Sequence, residues 1–291
     1  MRSLLFALAT LVAAPTLAVA EDADAYYKQG LAYKQQGKAD EAIATLEKAV
    51  AANPRHGMAW SSLGNLYTQK GDMAKAVSAY ESATSVIKKD KVLWANLGMA
   101  YYRNNQVDKA IEALTTACRL DPKDAEIRGN LGTVRRKKGD VAGAIVDLEI
   151  ATKLKPDEAQ YWNNLGVAYR TAKRDDDALK AYAKAVELSP NDASFHFNVA
   201  VTYRRKEMYE EAQAAYEKSV GLDPGNAEAW FDLGFVYKQN HYNDKAIEAF
   251  NKYLEINGGK DAAAQKRIEE EIGSMGGNVK KTAPKKTPKK K

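Results

Sequence analysis

Cysteine is almost missing from this chain, with Cys118 alone among 291 residues. No internal disulfide can form, and a thiol two residues before Leu120 on an apolar helix stripe is expected to act as a small buried hydrophobe. Histidine is nearly as scarce: His56, His196 and His241 lie far apart, with no pair at metal-ligand spacing. The chain has no glycine-rich phosphate loop, no nucleophile elbow and no Asn-x-Ser/Thr sequon. No metal, cofactor, catalytic residue or small-molecule substrate is therefore expected. After the first twenty residues, no segment approaches the eighteen or so apolar residues that span a bilayer.

What the chain does have is a register. Gly30, Gly64, Gly98, Gly132, Gly166, Ala200 and Gly234 recur every 34 residues without insertion or deletion. Four residues earlier stand Tyr26, Trp60, Trp94, Arg128, Trp162, His196 and Trp230; three later stand Tyr33, Tyr67, Tyr101, Arg135, Tyr169, Tyr203 and Tyr237. Twelve residues after each small residue comes Ala42, Ala76, Ala110, Ala144, Ala178, Ala212 or Ala246, and units close on Pro54, Pro122, Pro156, Pro190 and Pro224. Apolar residues spaced three and four apart, broken at stretches such as Gln36-Gly37-Lys38, predict two helices per unit. A mid-helix glycine costs about 1 kcal/mol against alanine, so it signals close approach of the partner helix.

These slots resemble the tetratricopeptide repeat (TPR), with its W-x2-L-G-x2-Y, A-x3-F and P pattern, over residues 23–260. The resemblance implies an all-α fold, a right-handed α-solenoid of stacked helical hairpins. Its repeats are 23–56, 57–90, 91–124, 125–158, 159–192, 193–226 and 227–260. One hairpin cannot bury its apolar face alone, so units stack. Asp261 begins a capping helix over 261–274, with Ala264, Ile268 and Ile272 on one stripe.

The two ends differ from the body. Met1-Arg2, an apolar run from Leu4 to Ala14, Pro15 read as a helix break, and Ala18-Val19-Ala20 form a secretory signal peptide, residues 1–20, cleaved before Glu21. Export with one cysteine and no sequon favours a bacterial periplasmic or secreted protein. Residues 276–291 are rich in lysine and proline and are expected to be disordered. The formal charge of +6 includes +7 from that tail and +1 from Arg2, which leaves −2 on residues 21–275.

Function is sought on the first helix of each hairpin, which the resemblance places along a concave groove. Two ladders ride the register there: Asn96, Asn130, Asn164 and Asn198, then Arg136, Arg170, Arg204 and Lys238, with Arg103, Lys137 and Arg205 alongside. An amide carries both a donor and an acceptor, so an asparagine row suits the backbone of an extended peptide. The same slot also allows a bond within the hairpin, and both readings stand. Groove positions sum to +5, which favours an acidic ligand. Phe197, Phe231 and Phe235 are candidate anchors or inter-unit packing. Repeat four departs most, with Arg128 and Arg135 in aromatic slots and Gly129 in a groove position, as a site centre or as drift. The carboxylate clamp of chaperone-binding TPR domains is not matched, because Ser61, Glu126 and Asn130 stand where cations are needed.

The expected function is a non-enzymatic scaffold that binds an extended, acidic segment of a partner protein during cell-envelope assembly. The alternative is polyanion binding, with tail and groove engaging nucleic acid, anionic lipid or cell-wall polymer. Tethering of the tail to an anionic membrane fits beside the first, and self-association into a homo-oligomer stays open.

Overall fold

The computed structural model describes residues 14–258 and 261–279, with side chains from residue 22. Residues 1–13 of the expected signal peptide and 280–291 of the expected tail lie outside the described residues. Among the described residues the elements are fifteen α-helices and no strand. The chain divides into two compact units, one up to Asp140 and one from Val141. The division falls between the two helices of repeat four.

The first unit contains the hairpins α1 (Ala14–Gln35) with α2 (Ala39–Ala52), α3 (Gly57–Lys70) with α4 (Met73–Val86), and α5 (Lys91–Arg103) with α6 (Val107–Leu120), then α7 (Ala125–Lys138). The second unit starts with α8 (Val141–Leu154). The hairpins α9 (Ala159–Thr171) with α10 (Asp175–Leu188), α11 (Ala193–Arg205) with α12 (Tyr209–Leu222), and α13 (Ala227–Gln239) with α14 (Asn243–Asn257) follow, then α15 (Ala262–Ser274). Within each unit, every second helix also packs on the first helix of the next hairpin, which is the stacking of an α-solenoid.

Local signals set these boundaries. Asp90, Asp124, Asp192 and Asn226 cap first helices by accepting N–H groups from the opening turn, and His56 does so through Nδ1. Between the helices of a hairpin one residue turns left-handed: Gly37, Gly71, Asn105, Gly139, Lys173, Glu207 and His241. The next N–H then returns to the carbonyl of the tyrosine-slot residue, as in Lys38 to Tyr33 and Asp72 to Tyr67, closing the helix end. Pro15 does not break α1. It lies within α1 as described, and the helix continues past the expected cleavage point.

The recurrent glycine works by close approach. A Cβ at Gly64 would lie 2.6 Å from the Tyr80 ring, and one at Gly30 or Gly98 would lie 2.7 Å from Leu46 or Leu114. The tryptophan slot does something the pattern does not suggest. Trp60, Trp162 and Trp230 are half-buried and donate Nε1–H to the carbonyls of Pro54, Pro156 and Pro224, at 2.9, 2.8 and 3.0 Å. They pin the inter-repeat turn while their rings pack on the buried clusters. His196 does the same, bonding through Nε2 to the Pro190 carbonyl at 2.8 Å. Tyr67, Tyr169 and Tyr237 donate to glutamates on the preceding second helix, Glu47, Glu149 and Glu217, at 2.6, 2.6 and 2.8 Å. Cys118 is buried in the core of the first unit. The expected capping helix forms as α15, with Ile268 and Ile272 fully buried against Phe250, Tyr253 and Leu254.

Candidate functional site

In the first unit, α1, α3, α5 and α7 line a groove of about 490 Å³. Lys34 enters from α1, Asn65, Thr68 and Gln69 from α3, Asn96, Met99 and Arg103 from α5, and Ile127 and Asn130 from α7, with Tyr80 of α4 behind them. First helices therefore line this groove, as the resemblance implied. The Tyr80 hydroxyl donates to Asn65 Oδ1 at 2.7 Å, so the Asn65 NH2 group is the end left for a ligand. Asn96 and Asn130 are half-buried, and neither amide has a hydrogen-bond partner among the described residues. Val92 lines the same groove and is 55% exposed, an apolar contact beside the polar row. Thr68, Gln69, Val92 and Met99 were not among the expected site residues; Val92 alone had a signal, an apolar residue in a slot that holds charge in three other repeats.

The asparagine ladder is not uniform. In the second unit, Asn198 donates Nδ2–H to Asn163 Oδ1 at 2.9 Å, and Asn164 accepts from Gln160 at 3.0 Å. The residue thirty-five before Asn198 is Asn163, an acceptor, whereas the one thirty-five before Asn130 is Ala95, which has none. Asn198 is thus tied to the fold by its NH2 group, Asn164 keeps its NH2 group as Asn65 does, and Asn96 and Asn130 are wholly available.

The basic ladder divides in the same way. Arg204 places Nη2 3.2 Å from Asp232 Oδ2 and donates Nε–H to the Tyr216 hydroxyl, which itself donates to Asp232 at 2.8 Å. Burial works most strongly against the Arg204 charge, but the Asp232 carboxylate and the Tyr216 hydroxyl together outweigh it and raise the guanidinium. Arg205 pairs with Asp175, and Lys238 pairs with Glu271 of α15. No carboxylate among the described residues pairs with Arg103, Arg136, Lys137 or Arg170. In the first groove, Lys34 and Arg103 stand opposite Asp124 and Glu126. Burial favours the neutral Asp124 carboxyl, yet Lys91 at 2.8 Å and the α7 N–H groups hold it below the usual range, so it stays charged. The expected surplus of +5 is therefore not a free basic surface: this groove is close to balanced, and three second-unit cations are already neutralised.

Phe197, Phe231 and Phe235 are all half-buried and sit in ring clusters. Phe197 packs edge-on to Tyr216, and Phe231 and Phe235 meet Tyr253 and Phe250, with the Arg267 guanidinium of α15 4.7 Å from the Phe235 ring centre. Their exposed faces are largely taken by packing between neighbouring helices. Arg128 and Gly129 of repeat four lie on α7, half-buried and buried. Among the described residues no cluster of histidine, cysteine and carboxylates is arranged to hold a metal ion.

The fold and this groove define a class of helical-repeat interaction scaffold. A family model described as the cilia and flagella-associated protein 70 C-terminal domain matches residues 6–229, and a tetratricopeptide repeat model matches 203–267. The chain belongs to this tetratricopeptide repeat family. No curated protein matches it. Among solved structures, it is similar to a tetratricopeptide repeat protein from Parabacteroides merdae, at 17% identity and TM-score 0.65, over 88% of this chain and 99% of that one. It is also similar to YrrB, a TPR protein with an unusual peptide-binding site, at 23% identity and TM-score 0.55, over 67% of this chain and all of that one. A third similar structure is the APC/C hetero-tetramer Cut9-Hcn1, at 28% identity and TM-score 0.58, over 74% of this chain and 43% of that one.

Proposed function

We propose that the first unit holds an extended segment of a partner protein in the groove of α1, α3, α5 and α7. One observation carries this: the Asn65 NH2 group and the whole amides of Asn96 and Asn130 stand uncommitted in a single groove that also holds an exposed apolar residue, Val92. Amides read the repeating N–H and C=O groups of a strand-like peptide without demanding sequence. The half-buried surroundings make each such bond count for more than it would in water. The chain in the Cut9-Hcn1 hetero-tetramer works inside a protein assembly, which supports the same coarse reading.

The acidic preference narrows to one end of the segment. Arg103 is exposed at the groove and free of carboxylate partners among the described residues, whereas Asp124 and Glu126 repel acid at the other side. The segment thus carries an acidic residue near Arg103 and neutral residues elsewhere. We place this scaffold in a bacterial cell envelope, on the strength of Met1-Arg2, the apolar run and Ala18-Val19-Ala20.

Peptides selected on the full chain from a random library test the groove. Side-chain amide signals of Asn96 and Asn130 should shift on binding; selected peptides that move only second-unit signals sink the assignment. Export is tested by sequencing the N-terminus of the protein from fractionated cells. A start at Glu21 in the envelope fraction is expected, and an intact Met1 in the cytosolic fraction contradicts it.

A further inference from the structure

The second unit contains a cation whose counter-ion is absent from its own fold. Arg170, on α9, is half-buried, and its guanidinium lies 6.0 Å from the centre of the Tyr182 ring. Its Nη1 is buried without an acceptor, and no other acceptor or carboxylate among the described residues reaches it. The register explains the vacancy. Twenty-eight residues after Arg204 comes Asp232, which neutralises it; twenty-eight after Arg170 comes Asn198, whose amide donates to Asn163. The slot that supplies a carboxylate to one arginine supplies a neutral, occupied side chain to the other.

A second cation stands near. Arg205 is close enough to Arg170 that, after burial, repulsion from Arg170 is what lowers its guanidinium. Arg205 has a partner in Asp175, so the two arginines share one carboxylate and leave one positive charge over. Leaving a half-buried charge uncompensated is costly, and the flat guanidinium edge fits the two oxygens of a carboxylate.

We propose that Arg170, flanked by Arg205, is an oxyanion site that takes one aspartate or glutamate side chain of a protein partner. A single negative charge closes the balance. A dianion is disfavoured, because Asp175, Asp176 and Asp177 open α10 beside Arg205. Arg204 and Lys238 are structural, and Arg205 adds its field while staying paired with Asp175. The site does not depend on the first-unit groove and survives if that groove proves empty.

The test uses the full chain labelled with 15N-arginine, titrated with a blocked Gly-Glu-Glu-Gly peptide, its Gly-Gln-Gln-Gly twin, and inorganic phosphate at equal ionic strength. The Arg170 Nε–H signal should move with the glutamate peptide and not with its twin, with phosphate at least tenfold weaker. Arg170→Gln should lower affinity about tenfold or more while the melting temperature does not fall, since an uncompensated charge is removed, and Arg170→Lys should restore part of the affinity. Equal shifts with the glutamine twin overturn the proposal, as does a shift of Arg204 without Arg170, or phosphate binding more tightly than the peptide. The wild-type titration decides even if Arg170→Gln fails to fold.

Discussion

Replacing Asn96 and Asn130 together by alanine removes the two groove amides that have no partner among the described residues. Each amide can give a peptide backbone one donor and one acceptor, so two bonds of about 1 kcal/mol net are lost per residue. The pair then accounts for about 4 kcal/mol, or about a thousandfold in Kd, since each 1.4 kcal/mol is about tenfold. Non-additive losses reduce this, and anything above about tenfold is consistent. Folding should not suffer, because alanine is the better helix former by about 0.5 kcal/mol. Asn198→Ala is the matched opposite. It removes the 2.9 Å bond to Asn163 and leaves that buried acceptor without a donor, at about 1–3 kcal/mol, with groove binding unchanged. Titration calorimetry with a selected peptide and urea unfolding read the two quantities. A double variant that binds within twofold of the parent, or an Asn198→Ala variant that alone loses binding, refutes the division of the ladder.

Other outcomes follow from the packing. Glu207 holds a left-handed φ of 59°, where Gly37, Gly71 and Gly139 stand in other repeats, so Glu207→Gly should stabilise by about 0.5–1 kcal/mol in urea. Gly71→Ala, in the same slot, should cost a similar amount through strain alone, since nothing lies within 4 Å of its Cβ position. Tyr216→Phe leaves the Asp232 carboxylate, 7% exposed, with Arg204 alone and should cost about 1–3 kcal/mol by chemical denaturation. Burial, and then the bond to Glu149, push the Tyr169 phenol up to about 12, above its ordinary 10. The folded state therefore keeps a proton the unfolded chain loses, and stability falls between about pH 10 and pH 12. The advantage of the parent over Tyr169→Phe should shrink across that window, and a constant difference speaks against the Tyr169–Glu149 bond.

The hairpins were legible in the sequence because packing repeats: glycine at Gly30 and Gly64 predicts close approach, and Leu46 and Tyr80 supply the surface approached. The capping helix was equally plain, since Ala264, Ile268 and Ile272 form one stripe. In the register Trp60 shows only as a large apolar residue, and its ring does pack on the core. Its bond to the Pro54 carbonyl depends on how the preceding turn folds back, which spacing alone does not show. The site was half legible. Asn96 and Asn130 share one groove, but whether a rung is available depends on residues twenty-eight after it or thirty-five before it, such as Asp232 for Arg204 and Asn163 for Asn198. Those partners belong to neighbouring repeats and break the register that revealed the rows.

A photo-reactive side chain at Val92 tests most directly whether the first-unit groove is the binding surface. Val92 lines that groove and Val146 lies on α8 of the other unit, and both are 55% exposed, so labelling efficiency is matched. With a bound partner, position 92 should give adducts on several consecutive partner residues and position 146 none. Adducts from position 146 alone, or equally from both, contradict it.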